Sequence, residues 1–207
     1  MSKWAIRRGL SCCCRRWRSI IRRKRFTPYW LGRLDYDAQH YDGAIVYFQQ
    51  VLALDPKMAR AYDNLGLCYF YQNHNLLAIE SYTEAIQLEA ASPHPSAWPH
   101  FNLAIALQFL NRMDESEAQL HEALRLDPGL AQAQYQLGTV LEARDRLDAA
   151  VTALREASRL NATYAEPHFA LARIYRKLGQ KALSQAEVKT YLRLHAEAHS
   201  AIDSQGR

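Results

Sequence analysis

The side chains best suited to metal or nucleophilic chemistry in this 207-residue chain are eight histidines and four cysteines. His195 and His199 are four residues apart and would share a helix face, but no third ligand stands near them, so no metal site is expected. Cys12, Cys13 and Cys14 are consecutive and Cys68 stands alone. Adjacent cysteines are badly placed to bridge one another, and one distant partner makes no disulfide framework. That usage reads as a reducing compartment. Cys68 falls within a helical run, where a packed small apolar residue is expected rather than a nucleophile. There is no H-E-x-x-H, Walker or dinucleotide glycine motif, and no G-x-S-x-G elbow. The acidic residues distribute as solvated helix faces. The reading is therefore non-enzymatic: no catalytic residue, no cofactor, no metal and no small-molecule substrate.

If the residues do no chemistry of their own, the elements that carry them must supply a surface. Apolar residues make up 49%, enough for a sizeable core, while eight glycines and seven prolines suit a helical protein better than a turn-rich β protein. Charge is unevenly placed. Residues 1–25 hold ten basic side chains and no acidic one; the remainder is mildly acidic. Such asymmetry suggests an anionic partner for the basic arm. Gly9 to Cys14 is too short for the apolar region of a secretory signal, which weakens both Arg7-Arg8 as a twin-arginine signal and Leu10-Ser11-Cys12-Cys13 as a lipoprotein site. No run of about 18 apolar residues could span a bilayer.

Internal repetition organises the rest. Leu52-Ala53-Leu54-Asp55-Pro56 and Leu124-Arg125-Leu126-Asp127-Pro128 match, and each is followed at the same distance by Leu-Gly, at Leu65-Gly66 and Leu137-Gly138. A 34-residue frame fits five units: 25–58, 59–92, 97–130, 131–164 and 165–198. Four residues, Pro93, His94, Pro95 and Ser96, read as a loop inserted between the second and third. Position 8 of the frame is small: Gly32, Gly66, Ala104, Gly138 and Ala172. Position 20 is small too, as Ala44, Ala78, Ser116, Ala150 and Ser184. Position 24 is large, as Phe48, Tyr82, Leu120, Leu154 and Val188. Position 27 holds Val51, Ala85, Ala123 and Ala157, then bulky Tyr191 in the last unit. Small residues let two helices approach, and the large ones fill the remaining space. Thr27-Pro28 reads as a helix start, with Thr27 as the cap. Asn111, Asp145 and Gly179-Gln180 fall where the two helices of a unit should turn.

These units resemble the tetratricopeptide repeat (TPR), with its W-x2-L-G-x2-Y, A-x3-F and proline pattern. The resemblance implies an all-α, right-handed α-solenoid of antiparallel helix pairs, a TPR superhelix, over residues 26–198. Ahead of it stands the 1–25 arm, either a basic amphipathic helix or disordered, and after it a flexible tail at 199–207. It also implies a protein-binding adaptor or scaffold that holds a peptide or helix in a concave groove lined by the first helix of each pair, at positions 2, 5, 6, 9, 12 and 13.

Read onto this chain, those positions offer Tyr29, Trp30 and Arg33, then Arg60, Asn64 and Tyr71, then Trp98, Phe101 and Asn102. Tyr135, Gln136 and Arg173 follow in the last two units. Aromatics crowd the first three units as anchors of low entropy cost, and Asn64, Asn102 and Gln136 recur at position 6. An amide both donates and accepts, which suits a peptide backbone. The lysine–arginine clamp of TPR modules that bind chaperone tails is largely missing, since its positions hold Tyr29, Arg33, Trp98 and Asn102. Arg173, Arg176 and Lys177 form a basic cluster, either a solvated face or a contact for an acidic ligand.

In the arm, Ile6, Leu10, Cys13, Cys14, Trp17, Ile20 and Ile21 fall within an arc of about 120° on a helix, with most arginines off it. That pattern suits an anionic membrane surface met by residues 3–25. It also suits a calmodulin-like groove or a transit peptide. A disordered arm, a cover for the apolar edge of the first unit, and an upstream start codon are the plain alternatives. The second function class is thus a membrane-peripheral or nucleic-acid-associated factor acting through the arm, with nucleic acid the less favoured partner. The expected location is cytoplasmic, with peripheral membrane contact under the second reading.

Overall fold

Each helix pair closes on the same short turn. Gln39, Asn73, Asn111, Asp145 and Gly179 all have positive φ, between 56° and 73°. The N–H of the following residue reaches back five residues to a helix carbonyl: His40 to Asp35, His74 to Tyr69, Arg112 to Leu107, Arg146 to Leu141 and Gln180 to Tyr175, at 2.8–2.9 Å. A left-handed residue with that six-to-one bond satisfies carbonyls the first helix would otherwise leave open. Glycine, asparagine and aspartate reach this conformation at low cost. The five turn residues are spaced by 34, 38, 34 and 34. The extra four residues fall between the second and third pairs.

The computed structural model describes residues 27–205, with side chains through 198. The helices are α1 (27–37), α2 (Tyr41–Leu54), α3 (Ala59–Tyr71), α4 (Asn75–Glu89) and α5 (Trp98–Phe109). After these come α6 (Met113–Leu126), α7 (Ala131–Ala143), α8 (Leu147–Leu160), α9 (Glu166–Lys177) and α10 (Lys181–Gln205). The fold is all-α, of the TPR solenoid class. Two compact units meet in sequence between Pro95 and Ser96, with α1–α4 in the first and α5–α10 in the second. The basic arm, 1–25, lies outside the described residues.

One expectation, at the start of α1, is corrected. Thr27 is already helical, so it is not the cap of α1. At the other end α10 runs to Gln205. No glycine or proline interrupts Lys181–Gln205, so nothing local stops the helix.

The core follows the small–large–small rhythm. Ala44, Phe48 and Val51 are fully buried, as are Ala78, Ala85, Ser116, Leu120, Ala123, Ala150, Leu154 and Ala157, with Tyr82 nearly so. Each large member contributes roughly 1.5–3 kcal/mol by burial. Position 8 lies beneath them. A Cβ added at Gly32 would stand 3.0 Å from Phe48, at Gly66 2.5 Å from Tyr82 and at Gly138 2.6 Å from Leu154. Glycine is required there by the closeness of the paired helix, not by backbone conformation.

Candidate functional site

The first helices of the pairs are α1, α3, α5, α7 and α9. Trp30, Tyr71, Trp98, Phe109 and Phe169 are each between 46% and 66% exposed, and they are all the exposed large aromatics among the described residues. Every one lies on a first helix, at frame position 6, 13, 2, 13 or 5. Exposed aliphatic residues follow no such rule: Leu34 is on α1, Val46 on α2 and Leu76 on α4.

In the first unit the amide of Asn64 is a junction. Its Oδ1 accepts from Arg33 Nη1 at 2.6 Å. Its Nδ2 donates to the Arg60 carbonyl at 2.6 Å and to Tyr29 Oη at 3.2 Å. Asn64 is only 5% exposed. Both its N–H donors are therefore spent within the protein, and what it presents outward is Arg33 and Tyr29. The Arg33 guanidinium lies over the Tyr36 ring, 5.2 Å from its centroid, and approaches Asp37 at 3.5 Å. Tyr29 packs edge-on against Trp30 at 5.5 Å and Phe48 at 5.9 Å. Tyr71 stacks flat on Tyr41, 5.3 Å away, with Tyr36 edge-on to both. Burial, then the neighbouring Tyr71, push the Tyr36 hydroxyl well above the usual phenol range. The Cys68 thiol, fully buried, is pushed up to about 12 by desolvation, which removes it as a nucleophile.

In the second unit Trp98 stands perpendicular to Phe101 at 5.6 Å. Phe101 and Asn102 are buried. Gln136 accepts from the Thr139 hydroxyl at 3.2 Å. Tyr135 meets Tyr164 edge-on at 5.3 Å, and burial, then Glu166, raise its pKa. Glu142 is the electrostatic centre. Arg173 grips it with two prongs, Nε to Oε1 at 2.9 Å and Nη2 to Oε2 at 2.5 Å, while Lys177 Nζ reaches Oε1 at 2.9 Å. Burial opposes its ionisation, but these hydrogen bonds and charges outweigh it and hold the carboxyl below the ordinary range. Two members of the basic cluster, Arg173 and Lys177, thus face an internal carboxylate. Arg176 is exposed.

Asn64 belongs to the first unit and Asn102 to the second. Tyr41 and Tyr164 contact named site residues but lie outside the first-helix positions. Periodicity assigns faces of α1, α3, α5, α7 and α9, and carries no signal for a residue that opens a second helix or a linking turn.

Among the described residues no helix is long and apolar enough to cross a membrane, and no three His, Cys, Asp or Glu side chains cluster as metal ligands. The family model of the tetratricopeptide repeat matches residues 29–95 and again 101–165. No curated protein matches the sequence. Several solved structures share the fold. MamA from Desulfovibrio magneticus RS-1 is 12% identical, with a TM-score of 0.73 over 84% of this chain and 96% of its own. Pseudomonas aeruginosa pilF is 21% identical, with a TM-score of 0.75 over 84% of this chain and 77% of its own. YrrB, a TPR protein with an unusual peptide-binding site, is 16% identical, with a TM-score of 0.65 over 87% of this chain and 91% of its own.

Proposed function

The chain belongs to the tetratricopeptide repeat family, and we propose that it is a non-enzymatic scaffold that binds a peptide or helix of a partner protein on the faces of its first helices. The observation that carries this reading is the placement of the exposed aromatics. All five occupy first-helix positions that the repeat pattern assigns to the ligand. Exposed aromatic area has no structural return in a monomer and is what interfaces use as anchors. The unusual peptide-binding site of YrrB agrees with a peptide as the ligand class.

In this reading the aromatics anchor and the polar groups orient. Asn64 holds Arg33 and Tyr29 in place, so the Arg33 guanidinium keeps N–H groups for a ligand carbonyl. Glu142 does the same for Arg173. The test uses a peptide selected against the full chain from a random display library. Trp98→Ala combined with Phe109→Ala should weaken that peptide by about tenfold or more, as loss of interface anchors does. Val46→Ala on α2 should leave it unchanged. Unchanged affinity in the Trp98/Phe109 variant, with helicity intact, would sink the proposal.

A further inference from the structure

Helices α3 and α4 form a cavity of about 320 Å³. Tyr62, Leu65 and Tyr69 line it from α3, and Leu77, Glu80 and Glu84 from α4. Ser81 also borders it but turns its hydroxyl to the Leu77 carbonyl at 2.8 Å. At about 100° per residue, positions 62, 65 and 69 lie on the side of α3 opposite Arg60, Asn64 and Tyr71. This is a different surface from the aromatic first-helix faces.

A cavity in the same register lies between α7 and α8, of about 750 Å³, and the two differ in chemistry. There Leu141 stands in place of Tyr69, Thr152 in place of Glu80, and Arg155 and Arg159 border it. Its one carboxylate, Glu156, is held by Arg159 Nη2 at 2.6 Å. The residue matching Arg159 in α4 is Gln87. Helix α4 carries Glu80, Glu84 and Glu89 and no lysine or arginine at all. Across 27–95 there are eight acidic side chains against Arg33, Lys57 and Arg60. Arg33 bonds Asn64 on the far side of α3, the side that also carries Arg60.

We propose that this cavity takes a lysine or arginine side chain from a basic segment of a partner protein. The cationic head sits by the two carboxylates, one helical turn apart. The aliphatic stem lies on Leu65 and Leu77, between the Tyr62 and Tyr69 rings. A tyrosine face attracts a cation within about 6 Å of its centroid, and long basic side chains bury their stems while the charge stays near water.

The test is fluorescence anisotropy of the full chain with a labelled nonapeptide of alternating arginine and alanine. A glutamate–alanine peptide is the control. The arginine peptide should bind and the control should not. Glu80→Gln combined with Glu84→Gln should weaken binding about tenfold at low salt, with the gap closing as salt rises. Tyr69→Leu should weaken it also, while Asp37→Asn, on the α1 face, should not. Equal affinity in wild type and the Glu80/Glu84 variant overturns the proposal, as does a loss produced equally by Asp37→Asn. Limited trypsin digestion of the free chain tests the competing occupant. Cleavage within the 1–26 segment should be equally fast in wild type and the Glu80/Glu84 variant. Protection in wild type alone would make the chain's own basic segment the occupant and overturn the assignment to a partner.

Discussion

Gly66→Ala probes the packing rule on which the whole repeat rests. The new methyl group would stand 2.5 Å from Tyr82 Cε1, 2.7 Å from Cδ1 and 3.0 Å from Cζ. Tyr82 is 1% exposed, and a planar ring cannot fold away from an approaching carbon as an aliphatic end can. Overpacking of this kind costs about 1–3 kcal/mol. Alanine returns about 1 kcal/mol of that through its better helix propensity. The net loss is therefore about 1 kcal/mol, which lowers Tm by roughly 4–8 °C in a unit of this size. Leucine in the tyrosine's place would not relieve the clash, since a Cβ added at Gly138 would stand 2.6 Å from Leu154 Cγ. Gly66→Ala in a Tyr82→Ala background, where the ring is gone, should keep only the propensity gain of about 1 kcal/mol, giving a coupling of about 2 kcal/mol in a double-mutant cycle. Thermal and urea unfolding followed by circular dichroism measure all four states. A stabilised Gly66→Ala protein, or additive single substitutions, would refute steric closeness as the reason for glycine.

Other outcomes follow from single groups. Ser116 is fully buried and its hydroxyl has no hydrogen-bond partner, whereas Ser184, at the same frame position, donates to the Ala172 carbonyl at 2.8 Å. Ser116→Ala should therefore stabilise the protein by about 1 kcal/mol and Ser184→Ala should destabilise it, both read by urea unfolding. Glu142→Gln should cost about 1–2 kcal/mol at neutral pH, less than a fully buried pair because Arg173 and Lys177 are half exposed. The Glu142 carboxyl is held low in the folded state, so its contribution is complete above the unfolded carboxylate value and fades as pH falls through the folded one. The stability gap between wild type and Glu142→Gln should narrow as pH falls below the ordinary carboxylate range; a gap that stays constant on acidification would contradict the pairing. Cys68 should stay unmodified by iodoacetamide in the native protein and react once guanidinium unfolds it, as peptide mapping by mass spectrometry would show.

Much of the fold is legible because the repeat pattern is a packing pattern. Gly66 and Tyr82 can be paired by counting, since helix contacts depend on register. The turns at Asn111, Asp145 and Gly179 declare themselves by residue type; the turn at Gln39 does not, because glutamine has no special ease at positive φ. The candidate site is legible only to the level of faces. Counting places Asn64, Arg33 and Tyr29 on first helices. It does not show that both Asn64 donors are spent on Tyr29 and Arg60, or that Glu142 gathers Arg173 and Lys177. Those bonds are set by long side chains settling between neighbouring helices.

The claim that first-helix faces hold the ligand is tested most directly by photo-crosslinking. Peptides selected by display against the full chain would carry a benzophenone at successive positions, and the linked residues would be read by mass spectrometry. Adducts are expected on α1, α3, α5, α7 and α9, concentrated at Trp30, Tyr71, Trp98, Phe109 and Phe169. Adducts confined to the second helices α2, α6, α8 and α10, with these five aromatics untouched, would contradict it.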